Sequence, residues 1–179
     1  RGAAKVYAID VGKGILHWKI RNDPRVVVME ETNARFVESL PEEISLIVID
    51  ASFISLKTLL PVIKSWLFPL SSFIDDERGK PVLSEVEGKK EGSVIALIKP
   101  QFEAGKKDVA RGEGVIRDPA VHKQVLTDVL TFAQSDGWSV RGLIRSPLLG
   151  PKGNTEFLAW LGLNEASADV SALVEAVIG

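Results

Sequence analysis

No cysteine occurs among the 179 residues. That absence excludes a disulfide framework and any thiolate metal site. Histidine is nearly missing too. His17 and His122 are its only occurrences, which argues against a histidine-rich zinc site. No apolar run approaches the ~20 residues that a membrane helix needs. No basic segment followed by an apolar one opens the chain. A pore-forming or secreted role finds no support in this pattern, and the chain reads as cytoplasmic, without metal and without a membrane partner.

Positive charge is missing from one end. No Lys or Arg follows Lys152, whereas Glu156, Glu165, Asp169 and Glu175 do. From Lys99 to Lys123 the chain carries Lys99, Lys106, Lys107, Arg111, Arg117 and Lys123 against Glu103, Asp108, Glu113 and Asp118. Arg141, Arg145 and Lys152 then follow with a single sign. The formal net charge of −2 thus sums a basic middle and an acidic tail. Charge alone describes that middle as a solvated mixed face.

What is present is ordinary for one globular domain with a real core: 45% hydrophobic and 26% charged residues. Short apolar runs of strand length are the strongest signal. They are Lys5–Asp10, Arg25–Glu30, Ile44–Asp50 and Ser93–Lys99, with Trp138–Ile144 a weaker fifth. Continuous Val/Ile runs predict strands buried on both faces of a parallel sheet. Helical stretches alternate with them. Gly14–Arg21 is a short candidate. Ser55–Leu67 has helical spacing with Ser55 as cap, and Pro61 should bend it or mark a later start. Ala120–Ser135 is clearest, with Asp118 as N-cap, Pro119 first and Gly137 beyond the end. The alternation predicts an α/β domain with a mostly parallel sheet. Pro69–Gly92 reads as a long polar surface insertion, and Asn164–Ile178 as a peripheral C-terminal helix.

In open α/β sheets, ligands bind beyond the carboxyl ends of the strands. Asp10, Asp50 and Lys99 each close an apolar run. Asp10 is a candidate to hold ribose hydroxyls, since a carboxylate accepts two hydrogen bonds; a helix N-cap is the equal alternative. If the strands before Asp50 and Lys99 are neighbours, both side chains enter one cleft. A lysine there could orient a sugar hydroxyl or relieve it of its proton, while a structural ion pair is the plainer reading. The cluster Gly150–Pro151–Lys152–Gly153–Asn154 is a turn that lets a substrate backbone come close. Glu156 follows it, leading the run Phe157–Leu161, whose period fits strand or helix. Gly12–Lys13–Gly14 lacks the spacing of a phosphate loop.

Five blocks stand in a familiar order: VYAIDVGKGILHWKIRNDPRVVVMEETN, VIDASFISL, LIKPQFEAGKKDV, GVIRDPAVH and SPLLGPKGNTEFLAWL. Together they resemble the hemolysin A (TlyA-like) family of rRNA methyltransferases, within the wider FtsJ-like 2′-O-methyltransferases. The likeness runs from the first residue to about Leu161, and places a methyltransferase domain over residues 1–163. It implies a Rossmann-like sheet, mostly parallel, in which Phe157–Leu161 is the one antiparallel strand. It implies transfer of a methyl group from S-adenosylmethionine to the ribose 2′-hydroxyl of cytidines, with ribosomal RNA or ribosomal subunits as partners.

The family uses a Lys-Asp-Lys-Glu tetrad, and the resemblance maps its last three members onto Asp50, Lys99 and Glu156. It assigns the cofactor to Asp10, Val11, Asn33, Asp50, Ser52 and Phe53. It gives RNA phosphates to Lys106, Lys107, Arg111, Arg117, Arg145 and Lys152. The family pattern begins with an S4-type domain, the first tetrad Lys and a strand ending in a glycine-rich loop, and this sequence starts just before the second strand. The implied domain lacks its first strand, which leaves the Lys5–Asp10 and Ile44–Asp50 strands with free edges or paired directly. Weak cofactor binding and little activity are the corresponding expectation. A non-catalytic RNA-binding or scaffolding protein with the same fold is the alternative function. A membrane-active hemolysin is a third, which the lack of a long apolar segment opposes.

Overall fold

The computed structural model describes residues 2–67, 92–105, 114–164 and 166–179. Most of the Pro69–Gly92 insertion, together with Lys106, Lys107 and Arg111, lies outside the described residues. The elements run β1 (Val6–Ile9), α1 (Trp18–Arg21), β2 (Val26–Met29), a 3-10 turn (Ala34–Phe36), β3 (Leu46–Ile49) and α2 (Leu56–Leu67). They continue with β4 (Ser93–Ile98), α3 (Pro100–Glu103), α4 (Pro119–Ser135), β5 (Ser139–Arg145), a second 3-10 turn (Pro151–Gly153), β6 (Phe157–Gly162) and α5 (Val170–Ile178).

The architecture is α/β, with a mixed sheet that is parallel except for one strand. β3 and β4 are parallel neighbours, and β6 runs antiparallel to both β4 and β5, giving the order β3-β4-β6-β5. β1 and β2 form a separate parallel pair. Among the described residues no ladder joins β1 to β3. Of the two outcomes expected for those strands, free edges is therefore the one observed.

Burial on both faces of the strands is not observed. β3 and β4 alternate between buried and less buried positions. Ile47, Ile49, Val94, Ala96, Ile98, Phe157, Ala159 and Leu161 join one core with the buried faces of α2, α4 and α5. The residues between them look away from those helices: Val48 is 69% and Leu46 54% exposed. The described helices that build the core all lie on one side, so a continuous apolar run buries only every second residue.

Local chemistry explains the element ends. Asp118 accepts the Ala120 N–H at 2.8 Å and Pro119 opens α4, where a missing N–H costs nothing. Gly137 follows α4 with φ +86°. α2 begins at Leu56 and carries Pro61 inside, so the proline neither delays nor ends it. Six buried apolar side chains hold α2 to the core, which outweighs the backbone bond that Pro61 cannot donate. The Gly14–Arg21 candidate shrinks to Trp18–Arg21, because the Gly14, Ile15 and Leu16 N–H groups turn to the Glu30 carboxylate instead. The tail is helical only over Val170–Ile178, and it is less peripheral than expected: Val174 is 1% exposed.

Candidate active site

β3 and β4 emerge at the same sheet end, with Ile49 level with Ala96. Asp50 directly follows β3 and Lys99 directly follows β4, and their side chains meet there. Lys99 Nζ lies 2.6 Å from Asp50 Oδ1 and donates to Ser52 Oγ at 3.1 Å. Lys99 is 8% exposed, but the Asp50 side chain is 71% exposed. The ammonium is thus held from beneath while the carboxylate faces solvent. Its stem passes the Phe102 ring, with Nζ 5.8 Å from the ring centroid. Phe53 stacks obliquely on the same ring at 4.8 Å, with φ +62° and 91% exposure. A large apolar side chain is thus held outward in the left-handed region, beside Lys99 and Phe102.

Glu156 enters from the start of β6, which pairs Phe157 with Ile98. It is 5% exposed and accepts from Gln101 Nε2 at 2.9 Å. A Cβ at Gly150 would fall 2.1 Å from Glu156 Oε1, so the carboxylate occupies the space a side chain would need. No hydrogen bond or ion pair joins Glu156 to Lys99 among the described residues. The structure therefore brings Asp50, Ser52 and Lys99 into contact, and Glu156 reaches the same sheet end through Gln101. Gln101 Oε1 is buried without a partner, an acceptor left over for a hydroxyl.

Sequence reasoning missed Gln101 and Glu103 here, and it read Gly150 and Asn154 only as part of a turn that a substrate backbone approaches. Gln101 seats Glu156, and Gly150 makes room for it. Glu103 accepts the Leu56 N–H at 2.7 Å and the Ser55 hydroxyl at 2.6 Å, locking the start of α2 to the loop after Lys99. Asn154 is 2% exposed; its oxygen accepts the Ile116 N–H at 3.0 Å, and its nitrogen donates to the Gly114 and Pro151 carbonyls at 3.1 and 3.0 Å. All four stand inside the quoted sequence blocks, at two and four residues after Lys99 and beside Glu156. That proximity was the available signal.

The other candidates cluster around β1. Asp10 Oδ1 accepts the Gly12 N–H at 2.7 Å, and Val11 is 68% exposed. Ala8, Asp10, Ile15, His17 and Glu30 border a cavity of about 190 Å³. Asn33 Oδ1 caps its own turn by accepting the Arg35 N–H at 3.2 Å. Glu30 accepts from Arg21 at 2.6 Å as well as from the Gly14–Leu16 amides, and its carboxyl is held down at about 2 by Arg21 first and those amides second. The Gly12 and Gly14 amides thus already serve carboxylates, which removes Gly12–Lys13–Gly14 as a phosphate cradle. Arg117, Arg145 and Lys152 are exposed, and Lys152 sits in the left-handed region at φ +59°.

Known proteins resemble this chain in sequence and fold. The FtsJ-like methyltransferase family model matches residues 1–163. The 16S/23S rRNA (cytidine-2'-O)-methyltransferase TlyA of Mycobacterium tuberculosis (strain ATCC 25618 / H37Rv) is 41% identical over 163 residues, covering 90% of this chain and 53% of that protein. Hemolysin A of Brachyspira hyodysenteriae is 38% identical, covering 88% of this chain and 58% of its own length. A solved structure from Streptococcus thermophilus that carries a hemolysin name is 39% identical, with a TM-score of 0.79, covering 99% of this chain and 57% of the other. The chain spans about half the length of the curated relatives it matches. The family match over most of the chain, with relatives at 41% and 38% identity, leads to one conclusion: this chain belongs to the FtsJ-like methyltransferase family.

Proposed function

We propose that the protein methylates the ribose 2′-hydroxyl of cytidines in ribosomal RNA, with S-adenosylmethionine as methyl donor. The observation that carries this reading is the Lys99–Asp50 ion pair at the mouth of two adjacent parallel strands. The names of the relatives support the substrate class.

The residues present fit a nucleoside-type cofactor. Asp10 uses one carboxylate oxygen on the Gly12 amide, and its second oxygen suits a ribose hydroxyl. Glycine is needed at position 12 because the Ile15 side chain fills the space where a Cβ would stand, 2.1 Å away. Asp10, Val11 and Asn33 would hold the nucleoside part, and Asp50, Ser52 and Phe53 would border it. When bound, S-adenosylmethionine supplies an electrophilic methyl group on a sulfonium.

The remaining work falls to this chain's side chains. Lys99 Nζ, fixed by Asp50 and Ser52, donates to the 2′-oxygen and aims it. Asp50, open to solvent, accepts the hydroxyl's proton and passes it to water. Glu156, held by Gln101, limits where the sugar can sit. Burial of Lys99 excludes the water that would otherwise compete for its N–H groups.

The test is single-turnover methylation of ribosomal subunits with tritiated S-adenosylmethionine, followed by nuclease digestion. Label in 2′-O-methylcytidine is the expected result. Lys99→Ala should lower the rate by roughly 10²-fold or more. Bound RNA with no label from the unaltered chain would reject this reading in favour of a non-catalytic RNA-binding protein.

A further inference from the structure

A second cavity, of about 370 Å³, opens at the outer corner of the sheet where β5 ends and β6 begins. It falls within the ~300–1,000 Å³ range of small-molecule sites. Arg117, His122, Arg145, Leu149, Thr155 and Ile178 are among its walls, and no acidic residue lines it. Asp118 stands next in the chain, but its carboxylate caps the Ala120 amide.

Both arginines are available to a ligand. Arg145 donates to Thr155 Oγ1 at 3.1 Å, which anchors one edge of its guanidinium. Arg117 forms no ion pair with any described residue. The walls are also fixed in place. Asn154 ties the 114–116 segment to the Pro151–Gly153 turn through three hydrogen bonds. His122 Nε2 donates to the Ile116 carbonyl at 3.0 Å, and its ring packs edge-on against Phe157 at 5.5 Å. Burial pushes the His122 imidazole below its ordinary value, so it packs as a neutral ring. The result is a preformed recess with two guanidinium groups at the rim and Leu149, Val177 and Ile178 among its apolar walls.

Its position connects it to the candidate active site. Phe157 pairs with both Ile98 and Arg145, which puts the recess at the same sheet end as Lys99. Thr155 and Phe157 flank Glu156, and strand alternation sends Glu156 to the opposite side. A polynucleotide crossing the end of β6 can therefore touch both. Guanidinium pairs suit phosphate, and apolar recesses take unstacked bases of single-stranded RNA.

We propose that this recess binds a nucleotide of single-stranded RNA next to the methylated one, its phosphate on Arg117 and Arg145 and its base against Leu149 and Ile178. The assignment of the neighbouring nucleotide rests on the methyltransferase reading above.

The experiment measures anisotropy of a labelled single-stranded oligocytidine with the full chain across a salt series. The unaltered chain should show an affinity that falls with salt. Arg117→Ala with Arg145→Ala should flatten the log–log salt slope by about 0.7 for each phosphate no longer neutralised. Leu149→Asp should weaken binding about tenfold. Arg145→Lys should keep most of the slope. Lys123→Ala, on an α4 surface pair with Glu175, should change nothing. In parallel, the His122 ring resonances should shift on titration with the oligonucleotide and with cytidine 5′-monophosphate.

Unaltered affinity and slope in the double arginine variant would overturn the proposal. So would a silent His122 at saturating RNA. A shift with inorganic phosphate as large as with cytidine monophosphate, together with no effect of Leu149→Asp, would reduce the recess to an anion site and overturn the nucleotide assignment. If the arginine effects hold while no methyl group is transferred, the reaction fails and the RNA recess stands. If methyl transfer occurs while the arginines prove irrelevant to RNA, the reverse is true.

Discussion

The front and the back of this chain are built on different principles. No described residue before Ile47 is buried, whereas twenty-five buried side chains from Ile47 to Val174 form one continuous core. The front is a two-stranded parallel pair of four-residue strands, a unit too small to be stable alone. Polar contacts organise it: Glu30 gathers three amides and Arg21, Asp23 pairs with Arg25, and Lys5 with Glu42. Trp66 and Ser65 of α2 fasten it to the back. Trp66 Nε1 donates to the Val37 carbonyl at 2.8 Å, and Ser65 Oγ to the Glu38 carbonyl at 2.7 Å. Candidate cofactor residues on Asp10–Asn33 thus sit on a lightly held frame, while Lys99 and Glu156 sit on a rigid one.

The largest expected effect tests that contrast directly. Leu130 is fully buried in α4, and Leu130→Ala should cost about 2–5 kcal/mol through the cavity it leaves. Val27 in β2 is only half-buried, and Val27→Ala should cost less than about 1.5 kcal/mol. Urea denaturation of both variants measures the difference. Equal losses would mean that the β1–β2 pair folds as tightly as the core, and the contrast would fall.

The back half was also the more legible half. The Ser93–Lys99 run and the Asp118–Pro119 start of α4 carry their own local signals, an apolar run of strand length and a cap followed by proline. The antiparallel direction of β6 was different: its period was ambiguous, and only the family resemblance chose strand over helix. The Lys99–Asp50 meeting followed from neighbouring parallel strands, each ending in a charge. The one-sided burial of the sheet was not legible, because Val48 is as apolar as Val94 and only the placement of helices separates them. The seat of Glu156 was hidden for a similar reason. Gln101 and Gly150 are 49 positions apart, and neither residue type announces a tertiary partner.

That seat provides a middle-sized test on the rigid side. Gly150→Ala forces a Cβ toward Glu156 Oε1, so the carboxylate or the turn must shift, at about 1–3 kcal/mol. Gln101→Ala instead removes the donor from a buried carboxylate, at about 1–3 kcal/mol. Under the proposed function, both should slow methyl transfer while leaving the salt slope of RNA binding unchanged, since neither touches Arg117 or Arg145. Wild-type stability and rate in Gly150→Ala would show that Glu156 has no fixed seat.

Acid should produce the smallest effect and separate the two halves by pH. His122, in the back, has a folded value lowered by burial. A histidine held neutral contributes stability above its unfolded value of about 6.5 and loses it as pH falls below that. Glu30, in the front, has a folded value lowered to about 2. Its contribution is complete above the unfolded value of about 4.3 and disappears as pH falls toward 2. The back should therefore weaken first, below about pH 6.5, and the Gly14–Leu16 turn only below about pH 4.3. Amide exchange at Gly14, Ile15 and Leu16, compared with exchange at Leu126 and Leu130, resolves the two windows. His122→Gln should remove the upper window and Glu30→Gln the lower one, each without moving the other. If Glu30→Gln leaves the acid response of the turn unchanged, its carboxylate is not what holds the front half in shape.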